Sequence, residues 1–174
     1  MAGRSFVLVA VALIVLVLLA GIVIYVNQLG VAAEALEVEK INVVDIDVEP
    51  GFFNPKHVVL TFSITIRNPT EYGFEVESIT YKVYIGDDFL GEGSKKNIYI
   101  PPKTSQEILL ELTIPLETLG QTIRDAVITA VKTGHLQVKL TGNITIPLKA
   151  YGLKLASTTI PYEETIAYKL CKTC

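Results

Sequence analysis

The sequence predicts a mainly β protein: an antiparallel β-sandwich carrying one α-helix, set behind a single N-terminal transmembrane helix. Three observations carry this prediction. Residues 6–26 form an apolar run free of charge, Pro, Asn and Gln. Beyond residue 38 the hydrophobic period changes to two, over short runs divided by turn residues. Residues 118–133 alone in that part place apolar side chains at helical spacing.

The chain has 174 residues, 15 Lys+Arg against 18 Asp+Glu, two Cys and no Trp. Its mean hydropathy of +0.45 is too high for a uniformly soluble domain. Residues 1–30 hold only one charged side chain, Arg4, so the apolar excess sits at one end. The rest is the size of one domain. Ile, Val and Leu recur throughout it, which excludes disorder. Its mildly acidic balance offers no basic stripe to nucleic acid. Two cysteines cannot make a disulfide-dense scaffold, so a hydrophobic core has to stabilise it.

Residues 1–5 read as a short stub and 6–26 as the span. As a helix those 21 residues measure about 31 Å, the thickness of a hydrocarbon layer. Ala33-Glu34-Ala35 could serve as a signal-cleavage site, but the apolar run is longer than a signal's, which favours an uncleaved anchor. Arg4 precedes the span and Glu34, Glu37 and Glu39 follow it, which puts the domain outside the cell membrane. Residues 27–37 read as a linker, 38–162 as the sandwich and 163–174 as a tail.

Within the sandwich, Ile41 to Val48 reads as a strand whose phase slips between Val43 and Val44, as an inserted bulge residue makes it do. Val58 to Ile66 alternates, broken only by Val59, and ends at Asn68-Pro69-Thr70. Alternation returns over 79–85, 108–114, 136–140 and 144–148, with a weaker candidate at Thr158 to Pro161. Gly86-Asp87-Asp88 and Gly91-Glu92-Gly93 read as turns, and Gly142-Asn143 as a two-residue hairpin loop. In the helix, Thr118 and Gln121 form a candidate capping box and Gly134 a stop.

The order of an alternating strand ending in Asn-Pro (61–69), a Tyr-bearing strand (79–85), Gly91-Glu92-Gly93, Ile100-Pro101-Pro102, a long strand, one helix and a hairpin resembles a known family. It is similar to the type 2 late-embryogenesis-abundant proteins, whose domain is also called the water-stress and hypersensitive-response domain. The resemblance covers 38–162 and is most specific at Ile64-Thr65-Ile66-Arg67-Asn68-Pro69-Thr70. It implies an immunoglobulin-like or fibronectin-III-like sandwich and a non-enzymatic protective role in desiccation, heat or osmotic stress. It also implies a membrane-anchored, archaeal kind of member. Asn68, Pro69, Gly91 and Gly93 carry over as structural determinants; no catalytic residue, cofactor or metal does. Few Gln and Asn and dense Ile and Val strands match a thermophile.

Among residues with overt chemistry, Cys171-Lys172-Thr173-Cys174 reads as a local disulfide or mobile thiols, ahead of an intermolecular crosslink, half a metal site or a redox pair. Asp45, Asp47 and Glu49 share a strand face; a solvated edge is favoured over a Ca²⁺ site, which wants a loop-like oxygen cage. His57 and His135 have no nucleophile at partner spacing, so an enzyme is not expected. Asn143-Ile144-Thr145 is a glycosylation sequon. The expected partners are the membrane and client or envelope proteins, not nucleic acid. The rival function is a cell-envelope interaction or filament-like assembly subunit that uses the sandwich as a protein-binding module.

Overall fold

A computed structural model describes residues 2–49, 56–133, 135–150 and 152–169. The elements are α1 (Ala2–Glu34), β1 (Glu37–Glu49), β2 (His57–Asn68), β3 (Phe74–Ile85), β4 (Asp88–Ile100), β5 (Thr104–Pro115), α2 (Gln121–Thr133), β6 (His135–Ala150) and β7 (Leu153–Lys169). They make two antiparallel sheets, β1-β2-β5 and β4-β3-β6-β7. The predicted fold class is the observed one. Alternation explains it: Leu60, Phe62, Ile64 and Ile66 of β2 are buried with Ile79 and Val83 of β3 and Leu140, Ile144 and Ile146 of β6. Each such side chain contributes about 1.5–3 kcal/mol relative to an exposed one.

The phase slip in β1 is a bulge: Val43 pairs with Phe62 and Asp45 with Thr61, leaving Val44 unpaired and exposed. Five expectations need correction. α1 does not stop at residue 26 but runs 33 residues, about 50 Å. Residues 27–34 of the expected linker are helical because they pack: Val26, Leu29 and Ala32 lean on the core, and Ala33 is 0% exposed. Only Ala35 and Leu36 separate helix from strand. Gly91-Glu92-Gly93 lies inside β4, and Gly142-Asn143 lies inside β6, which is one strand rather than two. β7 continues to Lys169 because β6 supplies a partner for it along its length, so the expected tail from 163 is largely strand. α2 begins at Gln121 after a 3₁₀ turn, Leu116–Thr118, and the Thr118 hydroxyl donates to the Pro115 carbonyl at 2.7 Å instead of capping the helix. Gly134 lies outside the described residues.

Both misread glycine segments serve one device. Gly93, Tyr81, Gly142 and Tyr162 stand side by side across β4, β3, β6 and β7. Each tyrosine on this inward face lies over a neighbouring glycine: a Cβ on Gly93 would come 2.3 Å from the Tyr81 hydroxyl, and one on Gly142 would come 2.5 Å from the Tyr162 hydroxyl. Because the glycines leave space, the Tyr81 hydroxyl crosses to donate to the Glu111 carbonyl of β5 at 2.5 Å, and Tyr162 donates to the Thr80 carbonyl at 3.0 Å. The first bond ties the two sheets together where β4 and β5 meet.

Two predictions follow from this row. A Cβ at Gly142 would fall 2.0 Å from the Thr80 backbone oxygen, which no rotamer change relieves. Gly142→Ala is therefore expected to cost about 3 kcal/mol in urea unfolding. For comparison, outside this row, Gly86→Ala in the β3–β4 turn, at φ +59° with open space around it, is expected to cost about 1 kcal/mol. The second concerns alkali. Burial raises the pKa of both Tyr81 and Tyr162 above the ordinary 10.0. The unfolded chain then loses these protons first, so stability holds below pH 10 and falls as pH rises beyond it. Tyr162→Phe should shrink that fall, read by denaturant titration across alkaline pH; an unchanged slope would contradict the assignment.

Candidate functional site

The motif residue Asn68 ends the central strand of the smaller sheet and is 1% exposed. A buried carboxamide needs partners for two donors and an acceptor oxygen. Its Nδ2 donates to the carbonyls of Tyr72 at 2.7 Å and Pro101 at 2.8 Å, and its Oδ1 accepts from the Thr70 amide at 3.0 Å and the Thr70 hydroxyl at 2.8 Å. Thr70 and Tyr72 belong to the β2–β3 crossover between sheets, Pro101 to the β4–β5 crossover. One side chain therefore clasps both. The Lys103 amide donates to the Thr70 carbonyl at 3.0 Å, Lys103 pairs with Glu71, and the Thr104 hydroxyl donates to the Pro101 carbonyl at 2.9 Å. Pro69 suits the turn, since it lacks an N–H and presets its own φ. With its polar atoms engaged, Asn68 is a structural clasp and not a ligand.

Gly91 and Gly93 are likewise structural, though as strand residues rather than turn residues. A Cβ at Gly91 would sit 3.2 Å from Leu112 Cδ1 of β5, so its absence lets the sheets close at that edge. Asn143 is exposed on the outer face of β6, between Thr80 and Pro161 in register, and not in a hairpin loop. Around it lies an open recess of about 1030 Å³ lined by Thr80, Lys82, Glu92, Ser94, Thr141 and Glu163 among others. Lys139 borders this face 2.7 Å from Glu163, whose hydrogen bond and charge raise the lysine's pKa. The face offers many hydroxyls and charges and no paired nucleophile and base.

The remaining candidates do not converge. Asp45 and Asp47 each accept the next residue's amide, at 2.9 and 2.7 Å, on the edge strand β1, and Glu49 is exposed at its end. This is how a protein blunts a sheet edge. Among the described residues, no group of three or more His, Cys, Asp or Glu could hold a metal ion. His57 is half-buried at the start of β2, paired with Glu49 and Pro115. Cys171 and Cys174, and the side chain of His135, lie outside the described residues. The sequence reading gave Tyr81, Tyr162 and Gly142 no such role; Tyr81 stands inside the alternating run 79–85 and Tyr162 directly after the candidate Thr158 to Pro161, and neither position signals a glycine partner until register is known.

The family model described as "Late embryogenesis abundant protein" matches residues 63–166. No curated protein sequence matches the chain. Among solved structures, the fold is similar to a protein from Arabidopsis thaliana, at 19% identity and TM-score 0.53, over 78% of this chain and 84% of that one. It is also similar to a protein from Archaeoglobus fulgidus, at 10% identity and TM-score 0.50, over 77% of this chain and 98% of that one.

Removing the clasp should be costly. Asn68→Ala leaves the Tyr72 and Pro101 carbonyls without their donor, and a loss of about 3 kcal/mol is expected. Asn68→Asp keeps the acceptor for Thr70 but turns an oxygen toward two carbonyls. Its carboxyl pKa should rise on folding, so this variant should lose stability as pH rises through the carboxylate range and recover some of it in acid. Equal stability of Asn68→Asp at pH 4 and pH 7 would contradict the geometry.

Proposed function

The chain belongs to the late embryogenesis abundant protein family, and from that membership we propose that it is a membrane-anchored, non-enzymatic domain that protects its surroundings in desiccation, heat or osmotic stress. The observation that carries the anchored reading is α1. Leu8–Glu34 is long and apolar enough to cross a membrane, and its side chains from Leu8 to Leu19 are largely bare. A helix apolar on all sides suits lipid, not water. Its last turns are seated on the sandwich and joined to it by two residues, so the domain is held against the bilayer surface rather than on a loose tether. Arg4 before the span and Glu34, Glu37 and Glu39 after it favour the domain outside.

The protective mechanism is passive. A sandwich pinned at its crossovers and across its sheets keeps its shape as water activity falls. Its exposed polar faces, the hydroxyl-rich recess around Asn143 included, make weak hydrogen bonds to headgroups and to unfolding proteins. Anchoring keeps these contacts at high local concentration.

Two measurements test this reading. The full chain in phosphatidylcholine vesicles should preserve more activity of a labile enzyme through drying and rewetting than empty vesicles or a bound control protein do. Parity with both controls would remove the protective role. On intact cells, added protease should degrade the domain, and protection from it would reverse the orientation.

A further inference from the structure

From Ile146 onward β6 has left β3, whose pairing with it ends at Thr145, and continues with β7 alone as a two-stranded ribbon. Ala150 and Leu153 are the last pair of the ribbon, and Gly152 beside them has φ +80°. A two-stranded ribbon is at best marginally stable in water, so its support must come from what it touches. On one side Lys149 and Lys154 pair with Glu75 and Glu77 of β3. On the other stands α1: a Cβ on Gly30 would meet Leu148 Cδ1 at 3.4 Å, so the missing side chain lets helix and ribbon touch. Between them runs an apolar groove of about 430 Å³, lined by Ile22, Val23, Val26, Leu148, Leu155 and Ala156 with Asn27 and Gly30. Leu153 and Leu155 remain 68% and 50% exposed.

We infer that the β6–β7 tip is a second membrane contact, with Leu153 and Leu155 seated among lipid acyl chains beside α1. This rests on the reading of α1 as a membrane span. The occupant follows from continuity, because the groove's helical wall, Ile22 to Val26, is part of the apolar run assigned to the bilayer. Ile22 lies about 6 Å of helix rise below Val26, a depth typical of interfacial insertion. The surrounding side chains suit that level. Tyr25 is exposed on α1, and Tyr72 and Tyr99 are exposed at the same end of the sandwich, where aromatic rings with a polar tip favour the headgroup boundary. The contact would also resist tilting of the domain against the bilayer, leaving the recess around Asn143 at a fixed height and aspect to the surface.

The test uses the full chain with Cys171→Ser and Cys174→Ser, reconstituted in phosphatidylcholine–phosphatidylglycerol vesicles. An environment-sensitive fluorophore is placed in turn at Leu153→Cys, Val23→Cys and Asp87→Cys, the last at the far end of the domain. Nitroxide-bearing lipid should quench the Leu153→Cys probe to within about twofold of the Val23→Cys probe and leave Asp87→Cys bright. Quenching at Val23→Cys with a Leu153→Cys probe open to aqueous iodide would overturn the tip contact while keeping the span. A Leu153→Cys probe shielded from both lipid and iodide would mean a protein surface, such as a second copy, covers the ribbon, and would overturn the lipid assignment. No quenching at Val23→Cys would remove the span itself.

Discussion

The Asn68 carboxamide is the constraint on which the rest of the sandwich depends. A two-sheet fold needs each sheet's edge fixed relative to the other, and apolar packing alone is tolerant of sliding. Asn68 ends the central strand of one sheet and engages carbonyls from both crossovers leading to the other. Low dielectric around a buried amide makes each partner costly to lose, so the arrangement fixes a register as well as adding stability. Tyr81 supplies the complementary tie across the sheets, and it reaches Glu111 because Gly93 lies beneath its ring.

The clasp also bears on the end of the molecule from which the apolar helix α1 departs. Glu37, the first residue of β1, pairs with Arg67, the residue before Asn68. The crossovers therefore lie at the end of the sandwich from which α1 departs. Ala33 and Leu36 are buried at that same end, and the β6–β7 ribbon runs down beside the helix there. Polar loops, tyrosines and an apolar ribbon tip thus gather where a bilayer surface would lie, while α2 and the Gly86-Asp87 turn occupy the opposite end. On the proposed anchored reading, a domain seated on its helix in this way would present the same faces to a bilayer, as a passive protector requires.

Much of this was legible in the residues. Period-two alternation in Val58 to Ile66 and Ile108 to Ile114 is the direct print of strands half-buried in a sandwich, and the phase slip at Val44 is the print of a bulge. The apolar run at the N-terminus declared its length. What stayed hidden depended on partners distant in sequence. Gly93 and Gly142 read as turns because glycine is a local breaker, yet each is held in a strand by a tyrosine on the neighbouring one. β4, with Lys95, Lys96 and Asn97 in its middle, has no alternation to read, and its strand state comes from pairing with β3. Residues 27–34 read as a linker because Asn27, Gln28 and Gly30 break the apolar pattern, but tertiary packing keeps them helical. Asn68 could be singled out by its motif, whereas its two crossover partners, four and 33 residues away, could not.

The central claim is that the helix passes unbroken from the bilayer into the domain and holds it there. Hydrogen–deuterium exchange of the full chain in lipid vesicles tests it most directly at the amides of residues 27–36, outside the span. A continuous, packed helix predicts that Leu29 to Glu34 exchange as slowly as the core strands β2 and β6. Exchange of those amides at the rate of an unstructured peptide, with the strands still protected, would show a flexible tether and contradict the account.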